Sequence, residues 1–359
     1  MKKNRVRQLW LWPLGIMGLV LGVVLIYAGY VFLSYSRIAD GQELTVIGNG
    51  EETAEVGKEY TAVTYNVGFG AYTPEFTFFM DGGTESWAAS KESVIQCIQG
   101  AAETAMSYAP DIVLFQEVDT DSTRSYHVDE AELINSVFSA YDSVAAVNYH
   151  SAFLMYPLYQ PHGASNACLV TESIFDVTSA LRRSLPISTG PRKLLDLDRC
   201  YSVSRIPVEN GREMVVYNTH LSAYGTDASQ GEAQLQMLFT DMAAEYENGN
   251  YVICGGDFNH DFLGNSRELL NPGTDRIYSW CQPLPAEILP TGFSLCSDYA
   301  EGLTASTRYT DIPYGPDSFT VVLDGFIISD NVKCNYTQVM DTGFLYSDHN
   351  PVILRFSLQ

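Results

Sequence analysis

The chain has 359 residues, 46% of them hydrophobic and 18% charged, which excludes a disordered or low-complexity protein. Asp plus Glu number 43 against 20 Lys plus Arg, and four of those cations (Lys2, Lys3, Arg5 and Arg7) precede residue 37, so the remainder carries −27. A protein that grips nucleic acid through its overall field is basic; here positive charge for an anionic substrate has to be local, and a bound divalent cation is the obvious source.

Residues 1–8 form a basic tail. From Leu9 to Tyr35 there are 27 residues without a charge, enough for a helix to cross a hydrocarbon core of about 20 residues' length. Aromatic rings stand toward both ends of this run (Trp10, Trp12, Tyr27, Tyr30, Tyr35), as they do at membrane interfaces. A cleaved signal peptide is the alternative. The apolar run exceeds the usual h-region of about 7–15 residues and no A-x-A-like site follows, so an uncleaved signal anchor is expected. Basic residues before the run and acidic chain after it place the N-terminus in the cytoplasm and the bulk of the protein outside. Residues 36–57 are polar and acidic and read as a stalk or a poorly packed lead-in strand. Residues 58–359 show no internal repeat or second linker and are expected to form one domain.

Within that domain TAVTYNV (61–67) predicts a strand ending at Gly68, and residues 88–108 a helix with Val94, Ile95, Ile98, Ala102 and Ala105 on one face. DIVLFQEV (111–118) is an apolar strand closing on Glu117, and residues 129–140 look helical. Two strands, 200–208 and 212–221, flank the Asn210-Gly211 hairpin signal. A helix over about 229–247 precedes the strand YVICGGDFN (251–259). After a long Pro-, Gly- and Tyr-rich loop (271–318) come strands at 319–329, 334–340 and 351–356. The loop holds Trp280, Tyr299, Tyr309 and Tyr314 with only Arg276 and Arg308 as cations, and could line a cleft or pack as a surface excursion. Seven cysteines are spread singly, without a C-x-x-C pair; Cys254 reads as a buried small hydrophobe, and Cys281 could pair with Cys296 in an oxidising compartment.

Several of these apolar strands end in a residue capable of chemistry: Asn66, Glu117, His220, Asp257 with Asn259, Asp324, and Asp348 with His349. Strand ends fix positions while the loops beyond stay open, so such a set predicts one site. Singly, each has a plainer reading: Glu117 as a solvated strand end, Asn66 as a turn residue, His220 as a hydrogen-bonded semi-buried side chain. Asp324, in the middle of VVLDGFII, has to be paired or hydrogen-bonded because burying a bare carboxylate costs several kcal/mol. Carboxylates, amides and two histidines without a thiolate suit Mg²⁺, with Mn²⁺ or Ca²⁺ as alternatives, rather than zinc. That donor set fits hydrolysis at phosphorus.

In order along the chain, TYNVG (64–68), LFQEVD (114–119), NTHL (218–221), GGDFN (255–259), LDGFIIS (323–329) and SDHNPV (347–352) resemble the endonuclease/exonuclease/phosphatase superfamily of metal-dependent phosphoesterases. The resemblance implies an α/β four-layer sandwich of two mixed β-sheets flanked by helices, here preceded by one transmembrane helix. It implies Asn66, Glu117 and Asp348 on the metal side. It further implies Asp257 and Asn259 positioning the attacking water, His220 donating to phosphate oxygens, and His349, oriented by Asp324, as acid/base. The chain departs from relatives that read G-N-A-I-L-S-R: SNACLVTES (165–173) lacks the leading Gly and the Arg, so the substrate is not transferable from them. Expected substrates are a nucleic acid, a lipid headgroup or a small phosphate ester, and no protein partner is inferred; a non-catalytic cell-surface binding protein on the same fold is the alternative. His127, His150, His162 and His260 read as structural or surface residues, His150 being the one best placed for another role.

Overall fold

The computed structural model describes residues 2–359 apart from 189, 191, 192, 195, 196, 224–227, 275–280 and 300; Arg276 and Trp280 therefore lie outside the described residues. Helix α1 (Lys2–Leu33) leads into two short strands, β1 (Gln42–Glu43) and β2 (Val46–Gly48). Then follow β3 (Glu59–Asn66), α2 (Lys91–Ser107), β4 (Ile112–Asp119), α3 (Glu130–Val137), β5 (Asp142–Leu154), β6 (Gly163–Ser173), β7 (Ser179–Ser184) and β8 (Cys200–Pro207). Next are β9 (Glu213–His220), α4 (Ala228–Glu247), β10 (Tyr251–Asp257), α5 (Ser266–Leu270) and β11 (Phe293–Cys296). The chain ends with β12 (Thr307–Arg308), β13 (Thr320–Val321), β14 (Asp324–Ser329), β15 (Val332–Val339) and β16 (Val352–Leu358).

The long strands form two seven-stranded mixed sheets, ordered β1-β7-β8-β9-β10-β14-β11 and β15-β16-β3-β4-β6-β5-β2, and β12 pairs with β13. Alternation along each central strand decides the layering, because successive side chains point to opposite faces. In β4, Ile112 and Leu114 join the core between the sheets while Val113 and Phe115 face α2 and α3. In β10, Tyr251 and Ile253 face the other sheet while Val252 and Cys254 meet Leu235, Leu238 and Met242 of α4. Both faces of each sheet are thus covered, giving four layers, helix–sheet–sheet–helix. Fully burying one Val, Leu, Ile or Phe contributes roughly 1.5–3 kcal/mol, so these three stripes dominate the stability of the domain.

Local signals account for the starts of α2 and α3. Ser90 caps α2 by accepting from the Ser93 N–H at 3.1 Å, and Asp129 caps α3 by accepting from Glu132 N–H at 3.1 Å. Gly211 takes φ 82° in the turn joining β8 to β9. Cys281 and Cys296 are unpaired. Cys296 packs against Cys334 in the core between the sheets, a neighbour set by tertiary packing that loop context does not reveal.

Residues 36–57 are tied to both sheets. β1 pairs with β7, β2 pairs with β5, and Ala54 is completely buried in the inter-sheet core. Within α1, Leu11–Leu33 is long and apolar enough to cross a membrane, with a mean hydropathy of 2.4.

Candidate active site

Strand direction gathers the predicted residues. β3 and β4 run parallel in one sheet and β9 and β10 run parallel in the other, so Asn66, Glu117, His220 and Asp257 all stand at C-terminal strand ends. The antiparallel strand β14 begins there, and its register sets Asp324 opposite Asp257, which is itself opposite His220. Two glycines make this end of β10 possible. A Cβ on Gly255 would meet Leu114 of the facing sheet at 2.7 Å, and on Gly256, with φ +147°, it would stand only 2.0 Å from the Thr219 carbonyl oxygen.

Asn66 is the hub between the sheets. Its Nδ2 donates to Glu117 Oε1 at 3.2 Å and to Asp257 Oδ2 at 3.1 Å, and its Oδ1 accepts from Gly68 N–H at 3.0 Å. Around Asp257 Oδ2 also stand His220 Nε2 at 3.5 Å and His349 Nε2 at 3.8 Å. Asn259, at φ 50°, gives its N–H to Asp257 Oδ1 at 2.8 Å and its amide Nδ2 to the Leu221 carbonyl at 2.7 Å. Glu117 has φ 55° inside a β-bulge between Phe115 and Val118, which turns its carboxylate out of the strand's regular alternation and leaves it partly open to solvent.

Asp324 Oδ2 accepts from His349 Nδ1 at 2.7 Å, Ser306 Oγ at 2.8 Å and Thr307 Oγ1 at 2.9 Å. Ser306 and Thr307 lie within the 271–318 segment, so that part of it lines the site. Tyr299 packs into the core instead, Tyr309 joins a small cluster with Phe319, and the Tyr314 ring packs on Phe344 at 4.8 Å. Asp348 stands on the other side of Gly68, whose Cβ position is 3.0 Å from Asp348 Oδ1. Ser347 joins the two halves, donating to the Asn66 carbonyl at 2.7 Å and accepting from His349 N–H at 3.1 Å.

Burial and charge divide the protons. Burial, then the Asp324 charge, pushes Asp257 up to about 7, and burial with Glu117 nearby likewise raises Asp348 to about 7. Burial lowers His220 well below its ordinary value, and Arg199, His349 and Arg124 add to the effect, so it stays neutral. For His349 burial works against the cation, but Asp324 and Asp348 outweigh it and raise the imidazole to about 10. The site therefore contains one neutral and one protonated histidine at pH 7. Four carboxylates at one end of the sheets, two of them reluctant to ionise, fit a hard cation with oxygen ligands. Among the described residues, Asp257, Asp324 and His349 bring ligand-type atoms within 4.8 Å of one another, but Asp324 Oδ2 and His349 Nδ1 are already hydrogen-bonded together. Among the described residues Glu117 Oε1 accepts one hydrogen bond, from Asn66, with His220 Nε2 4.0 Å away, which leaves that carboxylate the freer of the two places.

Sequence reasoning missed the residues that hold this constellation. Gln116 Nε2 donates to Asn218 Oδ1 at 2.8 Å across the sheets, and Asn218 Nδ2 donates to the Val170 carbonyl at 3.0 Å. Both neighbour residues read as functional, and their burial between apolar strands was the available signal. Arg124 forms a paired hydrogen bond to buried Asp119 at 2.9 Å on both arms and lies over the Phe69 ring at 3.7 Å. Arg308 is buried behind Asp348, donating its N–H to the Asp348 carbonyl at 2.9 Å. Arg124 and Arg199 bring positive charge to the site that the 165–173 stretch lacks. His150 is not at the site; it pairs with Asp198 and its ring lies tilted against Tyr35, 5.4 Å between centroids.

The sequence matches the Endonuclease/Exonuclease/phosphatase family over residues 63–349. The chain belongs to that family. Its fold is similar to an endonuclease/exonuclease/phosphatase from Beutenbergia cavernae (TM-score 0.55, 15% identity, 84% of this chain and 72% of that one). It is also similar to ANGEL2, described as a 2',3'-cyclic phosphatase (0.54, 14%, 88% and 99%), and to D. rerio TDP2 complexed with a single-strand DNA product (0.53, 12%, 84% and 99%). No curated protein matches. At these identities the likeness establishes the four-layer fold of the family, and members of the family are phosphoesterases or nucleases.

Proposed function

We propose that the protein is a membrane-anchored, extracytoplasmic, divalent-metal-dependent phosphoesterase that hydrolyses a phosphodiester or phosphomonoester. The observation that carries this reading is the ring of donors around Asp257 Oδ2, from Asn66, His220 and His349, with His349 held by Asp324 on its far side. Asp257 is placed to orient and deprotonate a water, and Asn259 to hold that carboxylate and the phosphate. Neutral His220 donates a hydrogen bond to a phosphate oxygen, and protonated His349 supplies charge and a proton to the oxygens that become negative in the transition state. Glu117, with Asn66 and Asp348, would hold Mg²⁺, for which Mn²⁺ or Ca²⁺ could substitute. That cation would supply positive charge to a phosphate oxygen.

The acidity of the domain disfavours tight non-specific nucleic-acid binding, which needs several Lys or Arg at phosphates, so a lipid headgroup or small phosphate ester is the better-supported substrate class. The apolar helix α1 supports the anchor, and the basic tail before it supports a cytoplasmic N-terminus. The test is hydrolysis of a generic phosphodiester and a generic phosphomonoester by the full chain in detergent, with Mg²⁺, with EDTA, and with His349→Ala alongside. Metal-dependent turnover that the variant loses is the expected result. A folded, metal-binding protein inactive on both compounds and on phospholipid vesicles would instead favour the binding-protein alternative.

A further inference from the structure

The β5–β6 hairpin carries no Asp, Glu, Lys or Arg between Asp142 and Glu172, on a chain whose formal net charge is −23. Its tip exposes Leu158 (81%), Tyr156 (72%), Tyr159 (68%), Met155 and Phe153. A run of apolar side chains this open, on an otherwise acidic molecule, marks a surface that meets something other than water.

Two further observations say what that is. First, the tip is fastened to α1. The Met155 N–H donates to Tyr27 Oη at 2.8 Å, the Phe153 N–H donates to Tyr30 Oη at 3.3 Å, and the Tyr27 hydroxyl donates to the Phe153 carbonyl at 3.2 Å. Tyr27 and Tyr30 belong to the 23-residue apolar stretch Leu11–Leu33. At 1.5 Å per residue the stretch is about 35 Å long and Tyr27 lies about 9 Å before its end, in the outer part of a hydrocarbon core about 30 Å thick. Irregular backbone survives at that depth only if its polar groups are satisfied, and three of them here are satisfied by tyrosines of the helix itself. Second, the hairpin projects from the catalytic end of the sheet. β6 is antiparallel to β4, with Ala167 opposite Asp119, so residues from 167 back to Gly163 run on past the end of β4, by roughly 13 Å. The tip then packs, through Tyr156 on Phe79 at 5.7 Å, onto the segment whose Phe76 carbonyl accepts from Arg308 behind Asp348.

The geometry points to residues 153–159 as a membrane-inserting tip that lies in the lipid interface beside α1 and turns the catalytic end of the sheets toward the bilayer. The inference rests on α1 being a membrane anchor. Because the domain is acidic, the attachment is apolar and aromatic rather than electrostatic, and it gains nothing from anionic lipid.

The test uses the full chain reconstituted in phosphatidylcholine vesicles, with Cys281→Ser and Cys334→Ser removing the two less buried thiols. An environment-sensitive fluorophore is attached at Leu158→Cys or, as a control, at Lys333→Cys, an exposed site on the opposite edge of the sheet and at its non-catalytic end. Near-UV circular dichroism matching the parent establishes that both labelled chains are folded. The expected result is a blue-shifted emission at 158, quenching by bromolipid, and aqueous iodide quenching several-fold weaker than at 333. If the chain resists alkaline carbonate extraction but iodide quenches both labels alike, insertion of the tip is overturned while the anchor stands. If carbonate strips the chain from the vesicles, the anchor fails and this inference with it.

Discussion

Asp324 shows how one side chain turns a buried position into chemistry. Its Oδ2 takes three hydrogen bonds, one of them from His349, so the carboxylate both orients the imidazole and keeps it protonated. Asp324→Asn keeps the shape and removes the charge; kcat is expected to fall by about 10²–10⁴ with KM changed far less, read by steady-state kinetics on a phosphodiester. Glu117→Gln acts elsewhere: the Mg²⁺ concentration for half-maximal activity is expected to rise by about tenfold or more in a metal titration, with thermal unfolding of the metal-free protein little changed. Away from the site, Glu172 is buried with Ser143 donating to it at 2.9 Å, and burial raises its carboxyl to about 8. The folded state then holds a proton that the unfolded state has released, so this group's stabilisation is complete below the ordinary carboxyl value and is lost as pH rises toward 8. Glu172→Gln is expected to raise the melting temperature at pH 9 and to leave it nearly unchanged at pH 4, measured by calorimetry at both.

Among the elements, the end of β4 and the turn after it depend on a buried ionic cluster. Asp119 accepts both arms of Arg124 and the Ser125 hydroxyl, and Glu130 accepts the Asp119 N–H at 2.8 Å. Removing the cation with Arg124→Met leaves two buried carboxyl groups unbalanced, and a loss of about 3–5 kcal/mol is expected in urea unfolding, with Arg124→Lys recovering only part because one ammonium cannot replace the paired geometry. Strand existence was readable from apolar alternation for β3, β4, β8, β9 and β10, and their observed ends fall within a few residues of expectation. The long hairpin β5–β6 and strand β7 are hard to read locally, because Ser, Asn, His and Gly interrupt the apolar periodicity of the hairpin and Arg182 and Arg183 that of β7; pairing with β4 and β8 supplies what local sequence does not. The segment at 36–57 lacked any strong local signal for the same reason, and its strands exist because both sheets have edges to receive them.

At the scale of the whole molecule, the two sheets meet through their inner apolar faces, and the site forms where that contact ends. Its charges are held in place by the fold before any cation arrives, so binding a divalent ion is expected to stabilise the native state. At a free concentration about 100 times Kd the gain is ~2.7 kcal/mol, visible as a melting temperature several degrees higher with Mg²⁺ than with EDTA. Absence of any shift with Mg²⁺, Mn²⁺ or Ca²⁺ would count against a metal at Glu117. The segment that follows α1 is held to the domain by hydrogen bonds as well as by the chain: Tyr35 donates to the Leu197 carbonyl at 2.8 Å and the Ile38 N–H to Asp198 Oδ1 at 2.9 Å.

The chemical groups of the site and the strands that carry them are legible in the amino-acid sequence alone. Apolar runs closing on Asn66, Glu117, His220 and Asp257, and a carboxylate inside an apolar run at Asp324, are visible because strand periodicity and the cost of buried charge act locally. Six short motifs in order then pointed to the family. The tertiary structure alone decided which of these groups touch. Asn66 meets Glu117, 51 residues along the chain in its own sheet, and Asp257, 191 residues along in the other, His220, Asp257 and Asp324 come into line only through strand register, and His150 is drawn away to Asp198 and Tyr35. Proton affinities followed from the same contacts, since burial and neighbouring charge, not residue type, leave one histidine neutral and the other protonated. Contacts between residues far apart in the chain are set by which apolar faces bury each other, and that is a property of the whole fold.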